Sequence, residues 1–322
     1  MSRYKRALVT GGAGFIGSHV VEKLIQRGVE TIVLDDLSIG KRENIPKEAK
    51  LIVGDVCDPH IVQKALAGID VVFHLAARVS IRDSFRGLVE DTRTNIMGTV
   101  NILKHIESTT VKKFIYTSSM AVYGDERHLP IDEKHPLDPT SPYGISKLAS
   151  EKYVLCFCRH LGIDATVLRY FNTYGPRQTF TPYVGVITIF IQKLLEGQNL
   201  PIFGDGRQVR DFVSVDDVAE TTLLAMDYKG AANTFNVGSG TGTNINSLAQ
   251  ILKNTMNKST KTEYLPRQLG EPTDSVADIT LAKDELGFTP RWSLEEKLSE
   301  VIEWNMKNNI NNKLRYNKGG AK

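Results

Sequence analysis

The sequence predicts a doubly wound α/β fold, a parallel sheet with helices on both faces, joined to a smaller and discontinuous C-terminal lobe. Three observations lead there. Short apolar runs alternate with longer amphipathic stretches as far as residue 173, a glycine-rich turn follows the first run, and beyond Asn172 glycine and proline punctuate shorter elements.

The apolar runs are Ala7 to Val9, Thr31 to Leu34, Leu51 to Val53, Val71 to Leu75, Phe114 to Thr117 and Thr166 to Tyr170. Strands this short, separated by amphipathic helices, imply a parallel sheet covered on both sides. The helical stretches are Ser18 to Gly28, Pro59 to Ala67, Thr92 to Ile106 and Pro142 to Leu161, each with apolar residues at helical spacing. Right-handed crossovers make a doubly wound arrangement the economical solution. Two later runs, Asp211 to Val215 and Thr234 to Val237, read as strands returning to the main sheet. The expected division is a first domain over 1–173 with returns near 211–243, a second lobe over 174–210 and 244–310, and a flexible basic tail over 311–322.

Composition narrows the function. The 322 residues, 41% hydrophobic and 24% charged, suffice for a sizeable core. A net charge of +3 from 40 basic and 37 acidic residues gives no field suited to a nucleic-acid backbone. No apolar stretch is long enough for a membrane span, and the run after Arg6 is too brief for a signal peptide, so a cytoplasmic location is expected. Cys57, Cys156 and Cys158 lack the spacing of a disulfide framework or a zinc site; they read as structural thiols, and no metal is expected. No internal repeat suggests a solenoid.

Ala7-Leu8-Val9-Thr10 runs into Gly11-Gly12-Ala13-Gly14-Phe15-Ile16-Gly17, a strand turning into a helix as in the Rossmann dinucleotide-binding unit. Gly11, Gly14 and Gly17 permit a tight turn, close approach to a pyrophosphate and close helix-to-strand packing, while the helix start offers amide donors to the anion. The next strand ends in Asp35, placed to accept hydrogen bonds from the adenosine ribose and to repel an added phosphate, so NAD is expected rather than NADP. Asp55 is a candidate for the adenine side, with a loop or capping role equally open. Leu75-Ala76-Ala77 puts small residues after a strand, as a backbone lying against a dinucleotide requires.

The strand ending at Thr117 leads into Ser118-Ser119, and farther on comes Tyr143-Gly144-Ile145-Ser146-Lys147. Tyrosine and lysine four apart share a helix face, so the ammonium can favour the ionised phenol, which is otherwise too weak a base near neutral pH. Tyr143 then becomes a proton acceptor for a hydroxyl, with Ser119 hydrogen-bonding the same oxygen. Alone, this segment would be an ordinary helix start with Pro142 in its first turn. The glycine loop upstream makes it a catalytic candidate.

These motifs resemble the extended short-chain dehydrogenases/reductases, specifically the UDP-glucose 4-epimerase-like group of nucleotide-sugar enzymes. The likeness spans TGGAGFIG (Thr10 to Gly17), TSSMAVYG (Thr117 to Gly124), SPYGISK (Ser141 to Lys147), RYFNTYGPR (Arg169 to Arg177) and RDFVSVDD (Arg210 to Asp217). It implies an NAD site lined by Gly11, Gly14, Phe15, Ile16, Gly17, Asp35, Asp36, Asp55, Val56, Leu75, Ala76, Ala77, Asn95, Thr117, Tyr143 and Lys147, with Tyr170 and Phe171 at the nicotinamide end. It further implies that Asn172 and the segment Leu200-Pro201-Ile202-Phe203 hold the substrate nucleotide, that Ser119 and Tyr143 meet the sugar, and that Arg210 and Arg267 meet the diphosphate, a task suited to fixed guanidiniums. The segment Arg267-Gln268-Leu269-Gly270-Glu271 departs from the group's Arg-x-Gly-Asp by one added residue and by Glu for Asp.

Dehydratases and decarboxylases of the superfamily carry an acidic residue or an Asp-Glu pair just after the catalytic Ser/Thr. Here those positions are Met120 and Ala121, which can neither give nor take a proton. The resemblance thus implies 4-epimerisation of a UDP-hexose through a transient 4-ketose. Ser275 falls where epimerases restricted to unsubstituted hexoses often carry tyrosine, implying room for an N-acetyl group and acceptance of UDP-GlcNAc/UDP-GalNAc beside UDP-glucose/UDP-galactose. Alternatives are a UDP-uronic acid epimerase or decarboxylase, kept open by Arg78, Arg82 and Arg177, and a catalytically silent NAD-binding scaffold. A homodimer pairing helices Thr92 to Ile106 and Tyr143 to Leu161 is implied as well.

Overall fold

In the computed structural model, which describes residues 3–179, 185–230, 233–267 and 272–319 and side chains through 308, the alternating pattern folds as a regular series. Its first part is β1 (Arg6–Thr10), α1 (Phe15–Gln26), β2 (Glu30–Asp35), β3 (Lys50–Val53), α2 (Pro59–Ala65), β4 (Val71–His74), α3 (Ile81–Ser84), α4 (Leu88–Thr92), α5 (Gly98–Ile106), β5 (Lys113–Ser119), α6 (Pro142–Leu161) and β6 (Asp164–Tyr170). Then follow β7 (Asn172–Tyr174), α7 (Val186–Leu195), β8 (Leu200–Phe203), β9 (Val209–Ser214), α8 (Val215–Asp227), β10 (Thr234–Val237), β11 (Gly242–Asn244), α9 (Ile245–Thr255), β12 (Thr262–Leu265), α10 (Thr280–Leu286) and α11 (Leu294–Gly319).

Seven strands form one parallel sheet in the order β10-β6-β5-β4-β1-β2-β3. The strand period of two divides its side chains cleanly. Val9, Val33, Phe73, Ile115 and Leu168 face a core closed by α1, α8 and α10, while Leu8, Leu34, Val72, Phe114 and Tyr116 face one closed by α2, α5 and α6. The doubly wound Rossmann fold is therefore the observed one. The order reverses between β1 and β4, which opens a crevice beyond the carboxyl ends of those strands.

A second core gathers α7, β8, α9 and α11 around Phe190, Leu194, Leu248 and Leu298. Beside it β7, β9 and β11 make a three-stranded sheet, and β8 pairs with β12. The chain alternates between the two regions: β10 lies at the edge of the main sheet, α8 packs on α1, and α10 packs on β10 and α8.

The structure corrects four expectations. The strand over 211–215 does not return to the main sheet: β10 already occupies the edge beyond β6, and the buried Asp211 carboxylate instead takes the amides of Ser239, Gly240 and Ala277. The helix expected over Thr92 to Ile106 is broken by a π-helical turn at Arg93–Met97. The stretch from 311 continues α11 to Gly319, since neither Gly nor Pro interrupts it after Pro290; residues 320–322 lie outside the described residues. Cys158 is buried and Cys57 half-buried, but Cys156 is exposed because it falls on the outer face of α6. No described helix is long and apolar enough to cross a membrane.

Candidate active site

Parallel strands bring their carboxyl ends to one edge, so Gly11 after β1, Asp35 ending β2, Leu75 to Ala77 after β4, Ser119 ending β5 and Tyr170 ending β6 share the rim of the crevice. Gly11 adopts φ +69°, and a Cβ there would lie 2.7 Å from the Ala76 nitrogen. At Gly17 a Cβ would fall 2.2 Å from the Gly11 oxygen. Gly14 caps α1 with no side-chain acceptor, so no side chain competes with an anion for the amides of Phe15 and Ile16. Asp35 accepts hydrogen bonds from the Ala13 and Leu37 amides, both at 2.9 Å, which fixes its carboxylate beside the loop. Burial raises its pKa, and those two amides pull it back. Glycine cradle, uncapped helix start and tethered carboxylate fit a dinucleotide.

Other expected cofactor residues are placed unevenly. Val56 is buried against Gly98. Asp36 is exposed and accepts from the Ser38 amide and hydroxyl. Asp55 closes a turn on the Cys57 amide and pairs with Arg93 at 2.7 Å; burial pushes its carboxyl up, but these partners outweigh it and hold it low. Thr117 donates to the His74 carbonyl. Tyr170 gives its hydroxyl hydrogen to Thr222 on α8 at 2.6 Å, because Thr222 itself donates to Val218, so its ring alone is left for the crevice.

Asn95 owes its position to the π turn. Its amide nitrogen reaches the Arg78 carbonyl, Asp91 and Ser146, each at 3.0 Å, and its oxygen accepts from the Arg78 amide at 2.8 Å.

The catalytic candidates converge where β5 ends and α6 begins. Ser141 accepts from the Gly144 amide at 3.1 Å and Pro142 occupies the first turn, so α6 starts in a fixed register with Tyr143 and Lys147 both buried. The Tyr143 amide is further held by Ser84 at 3.2 Å. Burial raises the Tyr143 phenol to about 12, a hydrogen bond from Ser119 lowers it, and Asp91 raises it. Burial lowers Lys147 to about 8, with Glu151 and Asp91 working in the other direction. The ammonium sits 4.8 Å from the centre of the Tyr116 ring. Within the protein itself burial is the largest influence on Tyr143, while the lysine charge stands by the Tyr116 ring and is favoured by two carboxylates.

The substrate candidates meet on the second lobe. Arg210 donates to the carbonyls of Val209, Pro272 and Thr273, and Arg267 donates to the Thr273 hydroxyl at 2.6 Å, so both guanidiniums converge on Thr273. Residues 268–271, with the unusual spacing, lie outside the described residues. Asn172 donates to the Ser275 hydroxyl at 3.3 Å, and Ser275 is fully buried. Pro201 and Phe203 lie on β8, and Arg82 of α3 stands over the Phe203 ring at 4.7 Å, joining the two sides of the crevice. Among the described residues no cluster of His, Cys, Asp or Glu could hold a metal ion.

Two residues escaped the sequence reading, His74 and Asp91. The spacing of Asp91 and Asn95, four apart before Gly98-Thr99, was the available signal for the second.

Comparison with known proteins agrees with this geometry. The profile of the NAD dependent epimerase/dehydratase family matches residues 7–238. A putative UDP-glucose 4-epimerase of Methanocaldococcus jannaschii is 41% identical, covering 94% of this chain and 98% of its own length. A UDP-N-acetyl-alpha-D-glucosaminuronate decarboxylase of Bacillus cytotoxicus is 35% identical over 93% of this chain and 97% of its own. The crystal structure of the Thermotoga maritima UDP-glucose 4-epimerase with UDP-glucose superposes with a TM-score of 0.91 at 42% identity, covering 94% of this chain and 99% of that one. The chain belongs to the NAD-dependent epimerase/dehydratase family, and NAD is its cofactor.

Proposed function

We propose that the chain catalyses 4-epimerisation of a UDP-hexose, acting on UDP-glucose and UDP-galactose and also on UDP-GlcNAc and UDP-GalNAc. The observation that carries this reading is the make-up of the pocket after β5. Tyr143 is buried with Ser119 hydrogen-bonded to its phenol, and the two residues following Ser119, Met120 and Ala121, are buried and apolar. One acid-base group thus faces the sugar with no second one at that position, which suits removal and return of hydrogen at a single carbon.

When bound, NAD⁺ supplies the hydride acceptor and a positive charge beside the phenol. That charge favours the ionised phenol, so Tyr143 would take the proton of the 4-hydroxyl and return it once the 4-ketose has turned over, while Ser119 holds the same oxygen. The sugar must swing as the nucleotide stays, so binding energy belongs on the nucleotide, where Arg210, Arg267 and β8 are grouped. Of Arg78, Arg82 and Arg177, which keep the uronic acid alternative open, Arg177 is paired with Glu22 and Arg82 lies over Phe203, so two of the three are engaged away from a sugar carboxylate, which favours a neutral hexose. The assembled Ser119, Tyr143 and Lys147 favour an enzyme over a silent scaffold. The same reading has the protein act in the cytoplasm as a homodimer, supported by the exposed Met97, Ile145 and Tyr153 on the helices expected to pair.

The test is a panel of UDP-sugars with product stereochemistry read by NMR. Tyr143→Phe is expected to abolish interconversion while NAD stays bound. Near-normal turnover by that variant, or wild-type activity confined to uronic acids, would overturn the proposal.

A further inference from the structure

The Asp91 carboxylate lies just before the π turn, buried at 2% exposure behind the catalytic pair. It accepts a hydrogen bond from Asn95 at 3.0 Å and lies beside Ser146, the neighbour of Lys147 in sequence, whose hydroxyl donates to the Tyr143 carbonyl at 2.9 Å. The Asn95 amide also reaches Ser146 at 3.0 Å, so three side chains from three elements close a polar ring beside the lysine.

The groups facing Lys147 can be taken element by element. Tyr143 and Glu151 share α6 with it, Tyr116 comes from β5, His74 from β4, and Asp91 from α4. Glu151 is engaged by Arg169 through two hydrogen bonds of 3.0 and 2.8 Å, and both side chains are buried. His74 is neutral and the phenols of Tyr116 and Tyr143 stay protonated, since burial pushes the histidine down and both phenols up. Arg78 also acts on Asp91, but it is exposed and screened by water. Setting aside the Glu151–Arg169 pair leaves one buried cation, Lys147, and one buried anion, Asp91. Among the described residues no carboxylate forms a direct ion pair with Lys147, so its charge is compensated through the field of the polar ring.

We propose that Asp91 is the counter-charge of Lys147, a positioning residue that keeps the ammonium ionised inside the fold and sets the pH range over which the Tyr143–Lys147 pair works. The assignment rests on the reading of those two residues as the acid-base pair. In its support, burial draws Lys147 down to about 8 while Glu151 and Asp91 oppose it, and burial raises Asp91 while Ser146, Lys147 and Arg78 oppose that.

Asp91→Asn keeps an acceptor for Asn95 and removes the charge. In protein carrying ¹³C-labelled lysine, the Lys147 resonance is identified by its loss in Lys147→Met, and its titration midpoint is expected to fall by about one pH unit or more in Asp91→Asn. The basic limb of the kcat profile should move with it. Ser146→Ala removes a hydroxyl beside Asp91 but no charge, and should leave the midpoint within a few tenths of a unit. An unmoved midpoint in folded Asp91→Asn overturns the proposal, as does a kcat lowered equally at every pH. The titration needs no substrate and no turnover, so its failure is separate from failure of the epimerase assignment. Should Asp91→Asn not fold, the double variant Asp91→Asn/Lys147→Met decides: restored folding supports the charge pairing, and continued failure overturns it.

Discussion

His74 makes two ring contacts whose direction can be deduced. Thr99 gives its hydrogen to the Asn95 carbonyl at 2.6 Å, so its oxygen accepts from His74 Nε2–H at 2.9 Å, which leaves Nδ1 to accept from Thr10 at 2.7 Å. The Thr10 oxygen in turn accepts the Ala76 amide at 3.1 Å. A neutral imidazole thus ties β1, β4 and α5 together and fixes the backbone facing the glycine loop. Burial, with Lys147 adding to it, pushes the ring down from 6.5 to about 3. Because the folded value lies below the unfolded one, the stability contributed by the neutral ring is complete above pH 6.5 and is lost as pH falls toward the folded value. His74→Gln can keep one donor and one acceptor without titrating. Its urea stability is expected to fall less steeply between about pH 6.5 and 4, by about 1.4 kcal/mol per pH unit, and a slope equal to that of the wild type would show that the histidine is protonated in the fold. Glycines, Ser119, Tyr143 and Lys147 were legible because their chemistry is bound to local spacing. His74 and Asp91 were not, because a buried polar side chain announces itself only through partners distant in sequence.

At the level of elements, α6 was read from end to end because both its ends are written locally. Ser141 and Pro142 start it, and Gly162, at φ +67°, stops it. Ser141→Ala removes the acceptor for the Gly144 amide and is expected to cost about 1 kcal/mol in urea unfolding, with loosening confined to the turn that carries Tyr143. An unchanged midpoint would mean that Ser84 and the neighbouring strands hold this turn without the cap. The break before α5 was illegible, since no proline marks it. It is sustained by one local and one tertiary contact: the hydroxyls of Thr99, four residues on, and of Ser150 on α6 both donate to the Asn95 carbonyl, satisfying backbone that a wider turn leaves exposed.

For the molecule as a whole, the parallel sheet was legible because each βα unit repeats the same short pattern, whereas the second lobe depends on pairings between remote segments, β8 with β12 and β9 with β7 and β11. Asp211 illustrates the difficulty: within an apolar run it reads as an interruption, yet its carboxylate joins three segments through hydrogen bonds. At the surface, Met97 is 55% and Tyr153 51% exposed, each on a helical segment expected to meet a second copy. Met97→Glu combined with Tyr153→Glu should halve the mass measured by light scattering, and an unchanged mass would place any self-association elsewhere.

The repeated passage of the chain between its two regions bears on how the enzyme can be divided and how it can breathe. A fragment ending after β6 would lack β10 and α8, leaving one sheet edge unpaired and Ile115 and Leu168 without their cover. The first region is thus not a free-standing module to be transplanted. Any widening of the crevice must flex every connecting segment in concert, which confines admission of the nucleotide to a shallow, collective yielding rather than a wide swing about one pivot.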